Sequence, residues 1–117
     1  MTPMKRLSQD EMKEYFDRFN KRFLNLESTD VADVEVIGQE IGDQIGAEGV
    51  HLNGITFDPR TETLELELET GDVRSRRPKE VWVEEEDDGF IRALRIVRED
   101  DTNEIIRVRR LGIQPAD

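Results

Sequence analysis

Hydrophobic positions along this chain change period once. From Met12 onward, Tyr15, Phe16, Phe19, Phe23 and Leu26 recur at three- and four-residue steps, which puts four of the seven aromatic side chains on one stripe of an amphipathic helix. The start is marked by Ser8-Gln9-Asp10-Glu11, a capping box, with Leu7 and Met12 at the staple positions on either side. The pattern predicts a helix over residues 8–25, roughly 17 residues of it periodic. An aromatic stripe of this kind either docks a partner or lies across a sheet and closes the core, and the second role is the one expected.

After Glu27-Ser28-Thr29-Asp30 the period falls to two. Val34 and Val36 alternate with Asp33 and Glu35, Val50 and Leu52 are followed by Ile55 and Phe57 around Gly54, and Leu64, Leu66 and Leu68 alternate with Glu65, Glu67 and Glu69. Val81-Trp82-Val83, Ile91 to Val97 and Ile105 to Leu111 follow. Turn signals at Asp58-Pro59-Arg60-Thr61, Thr70-Gly71-Asp72, Asp87-Asp88-Gly89 and Asp100-Asp101-Thr102-Asn103 separate these blocks. Connections this short imply antiparallel neighbours, because parallel pairing needs crossovers of about a dozen residues or more. Residues 38–49 carry four glycines at Gly38, Gly42, Gly46 and Gly49, which oppose a helix and predict a Gly-bent strand or turn.

The 117 residues therefore read as one α+β domain over 1–117. An N-terminal amphipathic helix packs on a curled antiparallel sheet of five to seven strands spanning 31–111. Its strongly curled form is a small open barrel of the Sm-like or PRC-barrel-like kind, and residues 1–6 and 112–117 are expected to be flexible termini. No stretch reaches the roughly 20 apolar residues of a membrane span, and the polar start leads into no apolar signal core. A soluble, cytoplasmic protein without membrane contact is expected.

Charge narrows the functions further. With 28 acids and 17 bases the formal net charge is −11, which disfavours a nonspecific grip on nucleic acid or anionic lipid. The excess sits in the middle, where residues 31–72 hold Arg60 against eleven acids. Only Lys5, Lys13, Lys21 and Lys79 are lysines, and arginine makes up the other thirteen bases. This surface suits a halophile's high-salt cytoplasm, where screening relieves self-repulsion. Along the outer sheet face, Glu65, Glu67 and Glu69 are expected to find Arg95, Arg107 and Arg109 as cross-strand partners.

No catalytic constellation is complete. Without cysteine there is no disulfide, thiol nucleophile, zinc ribbon or iron–sulfur cluster, and the single histidine cannot build a multi-histidine metal site. His51 would need an orienting carboxylate, for which Asp58 and Asp43 are the candidates. Glu84, Glu86 and Asp88 before Gly89 resemble the opening of a calcium loop, yet the twelfth position, which needs a bidentate glutamate, is Arg95. That run is expected to be a solvated hairpin turn with no metal. No glycine pattern cradles a phosphate, and no cofactor is implied.

Two features suit binding. Arg74, Arg76 and Arg77 form the basic cluster Arg74-Ser75-Arg76-Arg77-Pro78-Lys79, suited to an anion or an acidic peptide, and Trp82 is a binding hot spot if exposed. The chain resembles an uncharacterised family of small bacterial proteins, domain of unknown function family 5335, from about Leu7 to Arg109. The likeness rests on Tyr15-Phe16-Asp17-x-Phe19, Val34-Glu35-Val36-Ile37-Gly38, Gly54-Ile55-Thr56-Phe57-Asp58-Pro59 and Val81-Trp82-Val83-Glu84 with Asp87-Asp88-Gly89. That resemblance implies no established activity and carries over no site.

The leading expectation is a non-enzymatic protein-binding or regulatory module whose partner is another protein. One alternative is a nucleic-acid mimic that places its carboxylates in a basic protein groove. The other is a small enzyme using His51. The sequence leaves monomer and homodimer both open.

Overall fold

The computed structural model describes residues 4–24, 32–38 and 45–110. In chain order the elements are β1 (Lys5–Leu7), α1 (Gln9–Phe23), β2 (Ala32–Gly38), β3 (Ile45–Asp58), β4 (Thr63–Leu68), β5 (Gly71–Arg76), β6 (Glu80–Glu85), β7 (Ile91–Val97) and β8 (Asn103–Arg110). Every strand pairing among them is antiparallel, in the order β1-β6-β7-β8-β2-β3-β4-β5. The end strands β1 and β5 do not pair with each other, so the sheet stays open and does not close into a barrel. The expected α+β architecture holds, with eight strands among the described residues where alternation marked five to seven.

The helix begins where its cap predicts. The Ser8 N–H and hydroxyl both donate to the Glu11 carboxylate, at 2.8 and 3.0 Å, and these bonds hold the Glu11 carboxyl below its ordinary range. The helix ends at Phe23, two residues short of the predicted limit, while Leu26 and Ser28 lie outside the described residues. Met12, Tyr15, Phe16, Phe19 and Phe23 are all buried against the sheet, so the aromatic stripe is consumed internally.

β3 joins two sheets. Its residues Ile45 to His51 pair with β2, and Leu52 to Asp58 pair with β4. A register shift between Leu52 and Gly54 accommodates Asn53 as an extra residue. The bulge has a packing consequence. In an unbroken strand Leu52 and Ile55 would face opposite sides; here both are buried, together with Phe57. Of the predicted Gly-bent segment, Gly38 closes β2, residues 45–49 open β3 with Gly49 at φ 65°, and 39–44 lie outside the described residues.

Two short strands escape the alternation pattern. Lys5 and Arg6, assigned by sequence to a flexible tail, pair with β6 at Val83 and Trp82. Gly71–Arg76, read as a turn leading into a basic cluster, is a full strand paired to β4. Its inward positions are Val73, half-buried, and Ser75, whose buried hydroxyl donates to Glu104 on β8 at 2.9 Å. Arg98 completes this link between the sheets by meeting the other Glu104 oxygen at 2.7 Å.

Candidate functional site

The positions of Arg74 and Arg76 follow from strand parity. On β5 they alternate with Val73 and Ser75, so they stand on the outer face, and register places Arg74 opposite Glu65 and Arg76 opposite Thr63 on β4. The next strand adds Thr56 opposite Glu65 and Asp58 opposite Thr63. This outer face of β3, β4 and β5 is one wall of a groove of about 920 Å³.

The other wall is the helix. β2 leaves β3 after His51, so among the described residues no strand pairs with the second half of β3 on that side, and α1 lies beside it. Asn20 holds it there: its side-chain amide donates to the Ile55 carbonyl at 2.7 Å and its carbonyl accepts the Ile55 N–H at 2.9 Å. Asp17 and Lys13, one and two turns earlier on the same stripe, overhang the groove. A Cβ at Gly54 would sit 3.8 Å from the Asn20 side-chain oxygen, an ordinary contact, and 3.2 Å from the movable Glu67 carboxylate, so the approach of the helix does not itself require this glycine.

Four cations line the groove, Lys13, Arg60, Arg74 and Arg76, against the carboxylates of Asp17, Asp58 and Glu65. Lys13 bonds Asp17 at 2.9 Å, which holds its ammonium above the ordinary lysine range. Arg74 bonds Glu65 at 2.7 Å, which raises its guanidinium likewise. Arg60 lies 3.6 Å from Asp58. Among the described residues Arg76 has no carboxylate partner. The groove therefore carries one uncompensated positive charge on a molecule of net charge −11.

A second cavity, of about 480 Å³, opens over the helix near Tyr15 and the β6–β7 turn. Its central polar groups already satisfy one another. The Tyr15 hydroxyl donates to Glu85, Lys5 lies 3.4 Å from that carboxylate, and the ammonium sits 5.1 Å from the Tyr15 ring centre. Burial first, then the Glu85 bond, pushes the phenol well above its usual value. This cluster anchors β1 and the helix to β6.

The remaining residues named from sequence are dispersed. Trp82 is half-buried on the outer face of β6, away from the helix, and its indole N–H donates to Glu80 at 2.8 Å. Arg77 lies past the end of β5 at φ 48°, its N–H donating to the Glu62 carbonyl, and takes no part in the groove. His51 and Asp58 belong to one strand, seven residues and about 20 Å apart, so they do not meet. Asp43 lies outside the described residues. Glu84 faces Arg92 at 3.5 Å and Asp88 accepts the Phe90 N–H at 3.1 Å, which leaves the acidic run as a charged hairpin turn. Among the described residues no three acidic or histidine side chains are grouped to hold a metal ion.

The expected ladder from Glu65, Glu67 and Glu69 to Arg95, Arg107 and Arg109 does not form, because β5 rather than β7 or β8 neighbours β4. Glu65 takes Arg74, Arg95 bonds Asn103, and register sets Arg107 opposite Glu35 and Arg109 opposite Asp33. Sequence reasoning missed Lys13 and Arg60 as partners of the arginines, since they come from other elements. It also missed Asn20, whose role depends on an edge visible only in the fold.

No helix among the described residues is long and apolar enough to cross a membrane. No solved structure matches the chain. An uncharacterised protein of Aquifex aeolicus (strain VF5) is 36% identical over 106 residues, covering 90% of this chain and 91% of that relative. A family model described as a family of unknown function (DUF5335) matches residues 3–116, nearly the whole chain. With the helix, the β3–β4 block and the β6–β7 turn all inside that match, the chain belongs to the DUF5335 family.

Proposed function

We propose that this protein is a non-enzymatic binding module that receives an acidic segment of a partner protein in the groove between α1 and the outer face of β3, β4 and β5. The observation that carries this reading is Arg76. It is exposed on a wall where every other cation has a carboxylate within 3.6 Å, and it stands on a chain with eleven acids in excess. A surface so rich in carboxylates has ample means to neutralise one more arginine, and here that guanidinium is left to an outside ligand.

The net charge selects the kind of anion. A long polyanion meets the whole negative molecule, whereas a short acidic segment seated in the groove responds mainly to charges within a Debye length, about 8–10 Å at ordinary salt. Arg74 and Arg60 add planar donors, and their present carboxylates exchange readily for a ligand's because exposed pairs are weak, about 0–1 kcal/mol.

The test is calorimetric titration of the full chain with a glutamate-rich peptide at low and high salt, repeated with Arg76→Glu and Arg60→Glu. Binding that weakens with salt and is abolished by either reversal is expected. Equal binding by wild type and Arg76→Glu would refute the assignment.

A further inference from the structure

The groove ends at a strand edge that nothing among the described residues covers. β5 is the last strand in sheet order, with β4 on one side only. Glu69 and Thr70 form a two-residue hairpin loop, which makes Leu68 and Gly71 a hydrogen-bonded pair. Alternation carries the phase to Leu66 with Val73 and Leu64 with Ser75. The Arg77 N–H bond to the Glu62 carbonyl, at 2.7 Å, continues the same phase beyond the strand. The odd-numbered residues of β5 therefore direct their backbone groups to β4. The N–H and C=O of Asp72, Arg74 and Arg76 point the other way, where no strand lies among the described residues.

The same three residues carry their side chains on the outer face. A segment laid along this edge meets free backbone donors and acceptors at every second residue, and its own side chains at those positions stand beside Arg74 and Arg76. We infer that where the acidic partner segment leaves the groove past Arg76 it continues as an added antiparallel strand on β5, with carboxylates at alternate positions facing the two arginines. This rests on the groove reading above and specifies the ligand as extended, with an acid at every second residue. Charge decides between occupants. A second copy of β5 paired antiparallel about Arg74 would match Asp72 with Arg76 on each side but set Arg74 against Arg74, whereas an acidic strand offers a carboxylate to both arginines.

The experiment uses three synthetic peptides of about ten residues with alternating glutamate and threonine. One is unmodified, one is N-methylated on the glutamate amides, and one on the threonine amides. Added in the proposed register, the strand turns its glutamate N–H groups toward β5. Calorimetry with the full chain is expected to show the glutamate-methylated peptide weakened roughly tenfold or more, the loss of one or two hydrogen bonds, while the threonine-methylated peptide keeps the parent affinity. Equal affinity for all three, lost in Arg76→Glu, would overturn strand addition and leave the groove reading standing. Failure of all three to bind would overturn both. A chain that sediments as a dimer, and that the unmodified peptide splits into monomers, would assign the edge to a second copy and overturn the acidic strand.

Discussion

Asn20 serves Ile55 as a neighbouring strand would. Its primary amide presents one donor and one acceptor to the Ile55 N–H and C=O, the same two bonds that β2 supplies to β3 before His51. The helix is fixed to the sheet at one backbone position, and the groove wall carrying Lys13 and Asp17 is fixed with it. Asn20→Ala leaves a buried residue's backbone unpartnered and is expected to cost about 2–3 kcal/mol. Asn20→Asp keeps the acceptor, sets a charge against the Ile55 carbonyl, and is expected to cost at least as much. Denaturant unfolding of both variants checks this, and a loss under about 0.5 kcal/mol would count against the contact.

Tyr15 gives the fold an alkaline limit. The folded state holds the phenolic proton more tightly than the unfolded chain, through burial and then the Glu85 bond. A raised pKa contributes stability that is complete below the unfolded value of about 10 and is lost as pH climbs above it, by at most about 1.4 kcal/mol per pH unit. Tyr15 is the only tyrosine, so phenolate absorbance during alkaline titration reports it alone. Ionisation is expected to coincide with unfolding, and the alkaline decline of stability is expected to be shallower in Tyr15→Phe.

Two acids face each other across the outer sheet. Register sets Glu67 on β4 opposite Asp72 on β5, a like-charge pair beside the Glu65–Arg74 bridge. Asp72→Lys is expected to raise stability by about 0.2–1 kcal/mol. It also makes the β5 edge more basic, so the same variant is expected to bind an acidic strand more tightly than wild type. Melting temperature and peptide titration check the two effects separately.

The two sheets are tied by Ser75 and Glu104. Ser75→Ala is expected to cost about 1 kcal/mol, and Glu104→Ala about 2–3 kcal/mol, since both Ser75 and Arg98 then lose a partner. In the double-mutant cycle a coupling of about 0.5–1.5 kcal/mol is expected, and additivity would show that the bond contributes nothing.

Much of this architecture is written in periodicity. The 3.6-residue stripe from Met12 to Phe23 and the faultless alternation of Leu64 to Leu68 each bury as their spacing requires. β5 escaped because Asp-Val-Arg-Ser-Arg has one apolar residue, its other inward position being a serine whose hydroxyl is satisfied only by a strand 29 residues away. Phe90 escaped because it follows a charged turn outside any periodic run, yet it is fully buried between Phe19 and Phe23, its ring centre 5.5 and 5.2 Å from theirs. For the site, Arg74 and Arg76 stand out in sequence as a cluster with Arg77. Only strand parity separates the two that share a face from the third, and only the fold brings Lys13 and Arg60 to them.

The most direct test of the groove is a nuclear magnetic resonance titration of the labelled full chain with the alternating glutamate–threonine peptide. Amide shifts concentrated at Asp72, Arg74, Arg76 and Arg60, and absent in Arg76→Glu, are the predicted result. Shifts centred instead on Trp82 and Arg95, across the outer face of β6 and β7, would contradict it.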